Sequence, residues 1–149
     1  MPRKSLSFIA SPAIEAQHAM NELVGLYGAV RPENADVIVA LGGDGFMLQT
    51  LREFQNLDKP VYGMNQGTVG FLMNGFGTAG LTERIRKAEL TILHPLKMLA
   101  HATGGEITEA LAINEVSVFR KTRQASKLRI IIDGRVRMDE LVCDGVLLS

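Results

Sequence analysis

The apolar residues in the first part of this chain form short compact runs separated by stretches of wider spacing. The run at residues 37–41 is almost uninterrupted, which predicts a strand buried on both faces of a parallel sheet. Residues 6–10 and 60–65 are predicted to form two further strands. Apolar residues at helical spacing after Gly45 predict a helix between the second and third strands. The alternation of strands and helices favours a parallel sheet with right-handed crossovers.

A first helix is expected between the first two strands. Ser11 and Pro12 predict its start, because a capping hydroxyl is followed by a proline in the first turn. Gly28 is expected to end it. A short, highly charged helix is predicted at residues 81–88. The loose apolar face of the first helix is expected to contain Ile14, His18, Leu23 and Leu26.

The pattern changes near residue 93, after which we expect antiparallel strands and no further helix. Long strands are predicted at residues 91–102 and 107–119. Residues 127–132 and 135–141 flank Asp133-Gly134, the strongest short-range signal for a hairpin. The predicted architecture is therefore an α/β domain at residues 1–92, followed by an antiparallel all-β domain at residues 93–149.

Composition narrows the possible functions. The 149 residues fit one ordinary domain or two small ones, and 46% hydrophobic residues suffice for a core. A net charge of zero argues against nucleic acid as the main partner. The lone Cys143 excludes an internal disulfide and is expected to be a buried, inert thiol. We expect no membrane span and no export signal, and hence a cytoplasmic protein.

The most informative chemistry is Gly42-Gly43-Asp44-Gly45, directly after the second strand. Glycines let the backbone turn tightly and let a phosphate or sugar approach bare N–H groups. The carboxylate would lie at the edge where open α/β sheets bind ligands. The alternative is a tight turn with a solvated aspartate, since short glycine motifs have a real false-positive risk.

Two further polar groups interrupt apolar strands in the predicted β domain, at Asn114-Glu115 and at Asp144. A buried carboxylate needs a partner, because burying an unpaired charge costs several kcal/mol. These side chains are therefore either paired with nearby Arg or Lys, or they face a cleft and accept hydrogen bonds from ribose hydroxyls. The positive run from Arg120 to Arg129 is interpreted as a solvated face, with phosphate contact reserved for Lys127.

Motifs at four places, in order, make the chain resemble the bacterial NAD kinases over essentially its whole length. Gly42-Gly43-Asp44-Gly45 resembles the glycine-rich aspartate loop of that family, and residues 65–72, NQGTVGFL, are similar to its N-x-G-x-x-G-F-L segment. Asn114-Glu115-Val116 matches its Asn-Glu motif, and residues 144–149 match the start of its last block.

The resemblance implies a Rossmann-like α/β domain, then the start of a β-sandwich NAD-binding domain, here truncated. It implies transfer of the γ-phosphoryl group of ATP, or in some members of polyphosphate, to the 2′-hydroxyl of the adenosine ribose of NAD. Asp44 would be the catalytic carboxylate and would help to place Mg²⁺. Family members typically form dimers or tetramers. The implied substrate-binding residues are Gly43, Gly45, Phe71, Asn114, Glu115, Lys127 and Asp144.

The sequence departs from the family pattern in two places. The Thr-Pro-x-Gly-Ser-x-Ala-Tyr segment that follows the last block in the family lies beyond Ser149, which predicts a truncated chain whose own activity is in doubt. Phe46 stands where the family more often has threonine. An inactive, binding-only fragment with exposed β edges is therefore the second hypothesis.

Other nucleotide-dependent enzymes fit the motifs less well. Lipid kinases of the diacylglycerol or sphingosine type share the Gly-Gly-Asp-Gly loop but usually continue with Pro-x-Gly-Thr-x-Asn-Asp, which residues 65–72 do not match. No G-x-x-x-x-G-K-[ST] occurs, which excludes a P-loop kinase, and no G-x-G-x-x-G opens a helix as in dehydrogenases.

Overall fold

A computed structural model describes residues 4–67 and 70–149 of the chain. These residues form two compact units that meet in sequence between Ile92 and Leu93. Thr68 and Val69, which belong to the predicted glycine loop, lie outside the described residues, as does Arg3. Each unit is described by itself.

The first unit is built around a parallel sheet, as predicted. Its four strands pair in the order β1-β2-β3-β4, and every pair is parallel. Two short 3-10 turns, at Pro32–Asn34 and Gln55–Leu57, precede β2 and β3. The elements in chain order are β1 (Leu6–Ala10), α1 (Ile14–Tyr27), β2 (Val37–Leu41), α2 (Asp44–Phe54), β3 (Val61–Asn65), β4 (Asn74–Gly75) and α3 (Leu81–Lys87).

Helices cover the two faces of this sheet separately. Side chains of α1 and α3, including Leu23 and Leu81, pack on the face that carries Val39. Met47 of α2 packs on the opposite face, against Ala40. Because β1, β2 and β3 lie side by side in chain order, helices on opposite faces give the two crossovers opposite hands. The prediction that both crossovers are right-handed is therefore wrong.

Helix α1 ends as predicted but begins and packs differently. Gly28 follows it with a φ of 70°, a conformation that favours glycine. Its N-cap is Ala13, with no side-chain cap, and the Ser11 N–H instead donates to the Leu41 carbonyl of β2 at 2.9 Å. The predicted cap at Ser11 is thus wrong. The residues of α1 that are buried are Ala16, Ala19 and Leu23.

The predicted apolar face of α1 is correct only at Leu23. Ile14 and Leu26 are 70% and 57% exposed. The two buried alanines lie four and seven positions before Leu23 on the same side of the helix. These small side chains pack on the sheet together with Leu23, and Met20 and Tyr27 pack partly against the same core.

The second unit contains only antiparallel pairs of strands, which confirms the predicted change of architecture. Three two-stranded sheets form, from β5 with β6, β7 with β10 and β8 with β9. The strands are β5 (Leu96–His101), β6 (Ile107–Ala112), β7 (Val116–Phe119), β8 (Ser126–Ile132), β9 (Arg135–Cys143) and β10 (Gly145–Leu148).

Strand limits in this unit differ from the prediction at two places. The first strand begins at Leu96 rather than at Thr91, and the second predicted strand divides into β6 and β7. The bend between Ala112 and Val116 allows β6 to pair with β5 while β7 pairs with β10. Asn114 and Glu115 lie in that bend and not within a strand.

The hairpin at Asp133-Gly134 is confirmed. It joins β8 to β9, and the two residues have φ values of 51° and 72°. Positive φ at both central positions is the requirement of a type I′ turn, whose twist matches that of the flanking strands.

Burial separates the two units sharply. None of residues 93–149, all of which the structure describes, is buried, and Cys143 is only partly covered.

Among residues 4–67 and 70–149, no helix has the length and apolar character needed to cross a bilayer.

Candidate functional site

The glycine-rich loop lies at the carboxyl edge of the parallel sheet, where the sequence predicted it. Strand β2 ends at Leu41, and α2 begins at Asp44, so Gly42 and Gly43 make the whole connection. The loop after β1 leads to α1 on one face and the loop after β2 leads to α2 on the other. Adjacent strands whose connections leave in opposite directions open a crevice at their carboxyl ends, the usual ligand site of such sheets.

A cleft of about 380 Å³ lies at this edge, within the first unit. Gly42 and Gly43 contribute to its wall together with the start of α1 and the end of β3. A side chain at Gly43 would meet no atom within 4 Å, so this glycine leaves the backbone bare beside the cleft. The other residues that line the cleft include Ser11, Glu15, Met64, Asn65, Gln66 and Phe76.

Gly42 is packed differently from its neighbour. A Cβ atom at Gly42 would lie 2.9 Å from the Phe46 side chain, which is partly buried. The ring of Phe46 thus covers the loop from the α2 side, and any side chain at Gly42 would displace it. Gly45 has open space around it, with nothing within 4 Å of an added Cβ.

The Asp44 carboxylate is held by the backbone of the loop that follows β3. One oxygen accepts a hydrogen bond from the Phe71 N–H at 2.9 Å, and the other accepts one from the Leu72 N–H at 3.3 Å. Asp44 is the first residue of α2, where a negative charge is favoured by the helix dipole. The structure therefore brings together two of the predicted site residues, Asp44 and Phe71, through the Phe71 backbone.

The Phe71 side chain is exposed to solvent, although the Phe71 N–H group is bound to Asp44. The residue is 97% exposed, so its ring has no packing partner within the described first unit. An exposed aromatic ring one hydrogen bond away from a carboxylate is suited to stacking on a planar ligand.

The remaining predicted site residues belong to the second unit. Asn114 and Glu115 are exposed, so the prediction of a buried carboxylate within a strand is wrong for Glu115. Asp144 is also exposed, and its carboxylate pairs with Arg120 at 2.5 Å. The Arg120 backbone N–H also donates a hydrogen bond to the Asp144 backbone carbonyl at 2.8 Å. Pairing with a nearby arginine, one of the two alternatives for Asp144, is thus observed.

Lys127 lies on β8 and faces β9. Its ammonium donates to both carboxylate oxygens of Glu140 at 3.2 Å. Both side chains are more than half exposed, so this is a cross-strand surface ion pair. Lys127 thus belongs to the second unit, as do Asp144 and Asn114.

Carboxyl groups with a shifted pKa lie away from the glycine loop. Hydrogen bonds from the Ser5 N–H, at 2.7 Å, and the Ser5 hydroxyl, at 2.8 Å, hold the pKa of Asp36 below its usual value of 3.8. The Arg86 guanidinium lowers the pKa of Glu83 to about 2. Asp36 fastens the start of β1 beside β2, and Glu83 lies on α3, so both shifts concern structure rather than the cleft.

Metal ligands are sparse near the loop. Among residues 4–67 and 70–149, no three His, Cys, Asp or Glu side chains cluster closely enough to hold an ion. Mg²⁺ is commonly bound by one or two carboxylates together with substrate phosphates and water, and Asp44 fits that sparse donor set.

Sequence reasoning missed part of the cleft. The sequence predicts only a helix cap at Ser11. It contains no signal for Glu15 or Phe76, because these residues reach the cleft through the packing of α1 and the loop after β4. Gln66 belonged to a recognised motif, and its position directly after β3 could have identified it.

Comparison with known sequences agrees with this geometry. Residues 12–86 match the sequence model of a family described as ATP-NAD kinase N-terminal domain. The chain is 56% identical over 147 residues to a protein named NAD kinase from Cereibacter sphaeroides, and 55% identical over 151 residues to one from Rhizobium meliloti. A third, from Caulobacter vibrioides, is 58% identical over 144 residues.

These alignments cover the chain and its relatives unequally. They include 99%, 100% and 97% of this chain, but 58%, 59% and 55% of the three relatives. The chain thus spans somewhat more than half the length of the curated relatives that it matches.

Proposed function

Because the chain belongs to the ATP-NAD kinase family, we propose that the protein transfers the γ-phosphoryl group of ATP to the 2′-hydroxyl of the adenosine ribose of NAD, giving NADP. The observation that supports this most is the Gly42-Gly43 connection, which lines a cleft at the carboxyl edge of the sheet and leads directly to Asp44. Phosphoryl transfer requires positioning and charge stabilisation more than covalent chemistry by the protein.

Asp44 is the proposed general base. An ionised carboxylate offers about four lone-pair sites, and the Phe71 and Leu72 N–H groups occupy two of them. The remaining sites can accept a hydrogen bond from the attacking hydroxyl and take its proton during transfer. Asp44 is also the proposed protein ligand of a Mg²⁺ ion carried by the triphosphate, which would neutralise charge on the phosphates.

The glycines are proposed to bind phosphate through the backbone. Gly43 has open space around it and caps α2, so phosphate oxygens can approach the first N–H groups of the helix. Gly45, the second residue of α2, leaves similar space in the same turn. The Phe71 ring is proposed to stack on the adenine.

The second unit is proposed to supply contacts to the dinucleotide. Asn114 and Glu115 are exposed in a bend, where their side chains are free to hydrogen-bond ribose and base. Asp144 and Lys127 would bind ligand only by sharing or exchanging their present partners, Arg120 and Glu140. For this reason Lys127 and Asp144 are the weaker members of the proposed set.

The family membership extends the proposal to the setting of the protein. We place it in the cytoplasm, in NADP biosynthesis, as a homo-oligomer that uses ATP or polyphosphate. Residues 1–92 are proposed as the α/β domain, and residues 93–149 as part of the NAD-binding β domain.

The test is formation of NADP from NAD, ATP and Mg²⁺, followed with an NADP-specific dehydrogenase. It uses the 149-residue chain and, in parallel, the same chain joined to the remaining part of the Caulobacter relative. Asp44→Asn should lower kcat by about a hundredfold or more while NAD binding persists. Asp58→Asn is the matched control, because Asp58 is exposed with a φ of 50°, which asparagine tolerates.

Equal kcat in the Asp44→Asn and Asp58→Asn variants would contradict the role of Asp44. Absence of NADP formation from both wild-type forms, with both forms folded, would contradict the proposed function itself.

A further inference from the structure

The position of Gly70 explains how a backbone segment can reach the Asp44 side chain. Gly70 immediately precedes Phe71 and Leu72, whose N–H groups bind the two carboxylate oxygens. A Cβ atom at Gly70 would collide with three atoms of Asp44, namely Oδ1, Oδ2 and Cγ, all within 2.5 Å. The carboxylate therefore occupies the space that a side chain at position 70 would need.

The structure shows a steric need for glycine here, since the Asp44 carboxylate lies where a Cβ atom at position 70 would be. What a larger residue would lose is the approach of the backbone to the carboxylate. At Gly28 and Gly134 the reason is conformational, because φ values of 70° and 72° favour glycine even though the surrounding space is open.

We propose that Gly70 is a positioning residue for Asp44, and that residues 70–72 form a backbone cradle that sets the plane of this carboxylate. The catalytic consequence rests on the proposed function, in which Asp44 accepts the proton of the substrate hydroxyl. The cradle also joins Asp44 to the exposed Phe71 ring through a single residue. A nucleobase of the ligand that stacks on the Phe71 ring then holds in place the same peptide group that orients the Asp44 carboxylate.

The cradle makes a prediction that is independent of activity. In the 149-residue chain, the Phe71 and Leu72 amides should exchange with solvent deuterium about tenfold or more faster in Asp44→Ala than in wild type, since each loses a charged acceptor. Gly70→Ala should accelerate the same two amides. Gly25→Ala is the control, because Gly25 lies in α1 with nothing within 4 Å of an added Cβ.

A double-mutant comparison separates positioning from general destabilisation. Gly70→Ala should lower the melting temperature of wild type by about 5 °C or more, because the new methyl group overlaps the carboxylate. In the Asp44→Ala background the same substitution should lower it by less than about 2 °C, because the overlapping atoms are gone. Equal losses in both backgrounds would overturn the proposal.

Kinetics provide the functional measurement in the form of the protein that makes NADP. Gly70→Ala should lower kcat about tenfold or more and change the KM for NAD only a few-fold, since the substitution misplaces the Asp44 carboxylate, the proposed general base. Gly70→Ser should not restore activity, because it also carries a Cβ atom. An increase in KM with an unchanged kcat would overturn the positioning role.

The two proposals fail in different ways. If wild type makes no NADP, the function is wrong, but amide exchange still decides whether the cradle exists. If Phe71 and Leu72 exchange equally fast in wild type and Asp44→Ala, the cradle is wrong whatever the activity.

Discussion

All five residues of β2 in the first unit are buried, whereas in the second unit no residue of any strand is. Ile38 has no exposed surface, while Ile131, also in the middle of a strand, is 57% exposed. Both segments are rich in branched apolar residues, so composition does not account for the difference.

Architecture accounts for it instead. A parallel sheet requires crossover helices, and in the first unit these helices cover both faces of the strands. The second unit consists of two-stranded sheets, each of which has two faces and no helix to cover either of them. Isolated two-stranded sheets are marginally stable in water, so the first unit supplies its own core and the second does not.

Truncation of one isoleucine in each unit tests this contrast with the largest expected effect. Ile38→Ala should lower the free energy of unfolding by about 2–5 kcal/mol, through lost burial and the cavity left in the sheet. Ile131→Ala should change it by no more than about 0.5 kcal/mol, because the side chain is already in water. Urea denaturation of both variants makes the comparison, and equal losses would mean that the second unit has a core of its own.

A glycine tests how much specific structure the second unit keeps. An added Cβ at Gly145 would collide with the Val118 carbonyl oxygen on the paired strand β7, next to Phe119, which lies opposite Gly145. Gly145→Ala should therefore weaken this pairing by about 1–3 kcal/mol. Faster deuterium exchange of the β7 amides would report it, with Gly104→Ala, in open space, as the control. No difference between the variants would mean that β7 and β10 are not stably paired.

Acid should act on the first unit through identified carboxyl groups. Because the pKa of Asp36 in the folded state lies below 3.8, its contribution to stability is complete above that pH and is lost as the pH falls through the folded pKa. For Glu83 the corresponding window lies between 4.5 and about 2. Asp36→Asn should flatten the loss of stability below about pH 4, measured by thermal unfolding at a series of pH values. An unchanged profile would contradict the role of the Ser5 hydrogen bonds.

The smallest effect is expected at the surface of the second unit. Lys127→Ala removes an ion pair with Glu140 in which both side chains are more than half exposed. The free energy of unfolding should change by less than about 1 kcal/mol, and the change should shrink further in high salt. A larger, salt-insensitive loss, measured by urea denaturation at two salt concentrations, would show that Lys127 contributes packing as well as charge.

Sequence patterns predicted the elements of the fold more reliably than their packing. Strands β1, β2 and β3, the glycine loop and the Asp133-Gly134 hairpin follow from local signals, and each is observed near its predicted position. The family resemblance, drawn from motifs in order, is confirmed by the match at residues 12–86. The ligand-binding roles inferred from the motifs remain predictions.

By itself, the sequence determined which segments form strands, which form helices and where the chain turns, because these features depend on residues a few positions apart. Only the tertiary structure decided that α1 buries Ala16 and Ala19 while Ile14 stays exposed, since burial depends on which side of the helix faces the sheet. Only the tertiary structure joined Asp44 to the Phe71 N–H, 27 positions away. Local periodicity contains no distance between such groups, and that distance is what makes Gly70 a requirement of the site.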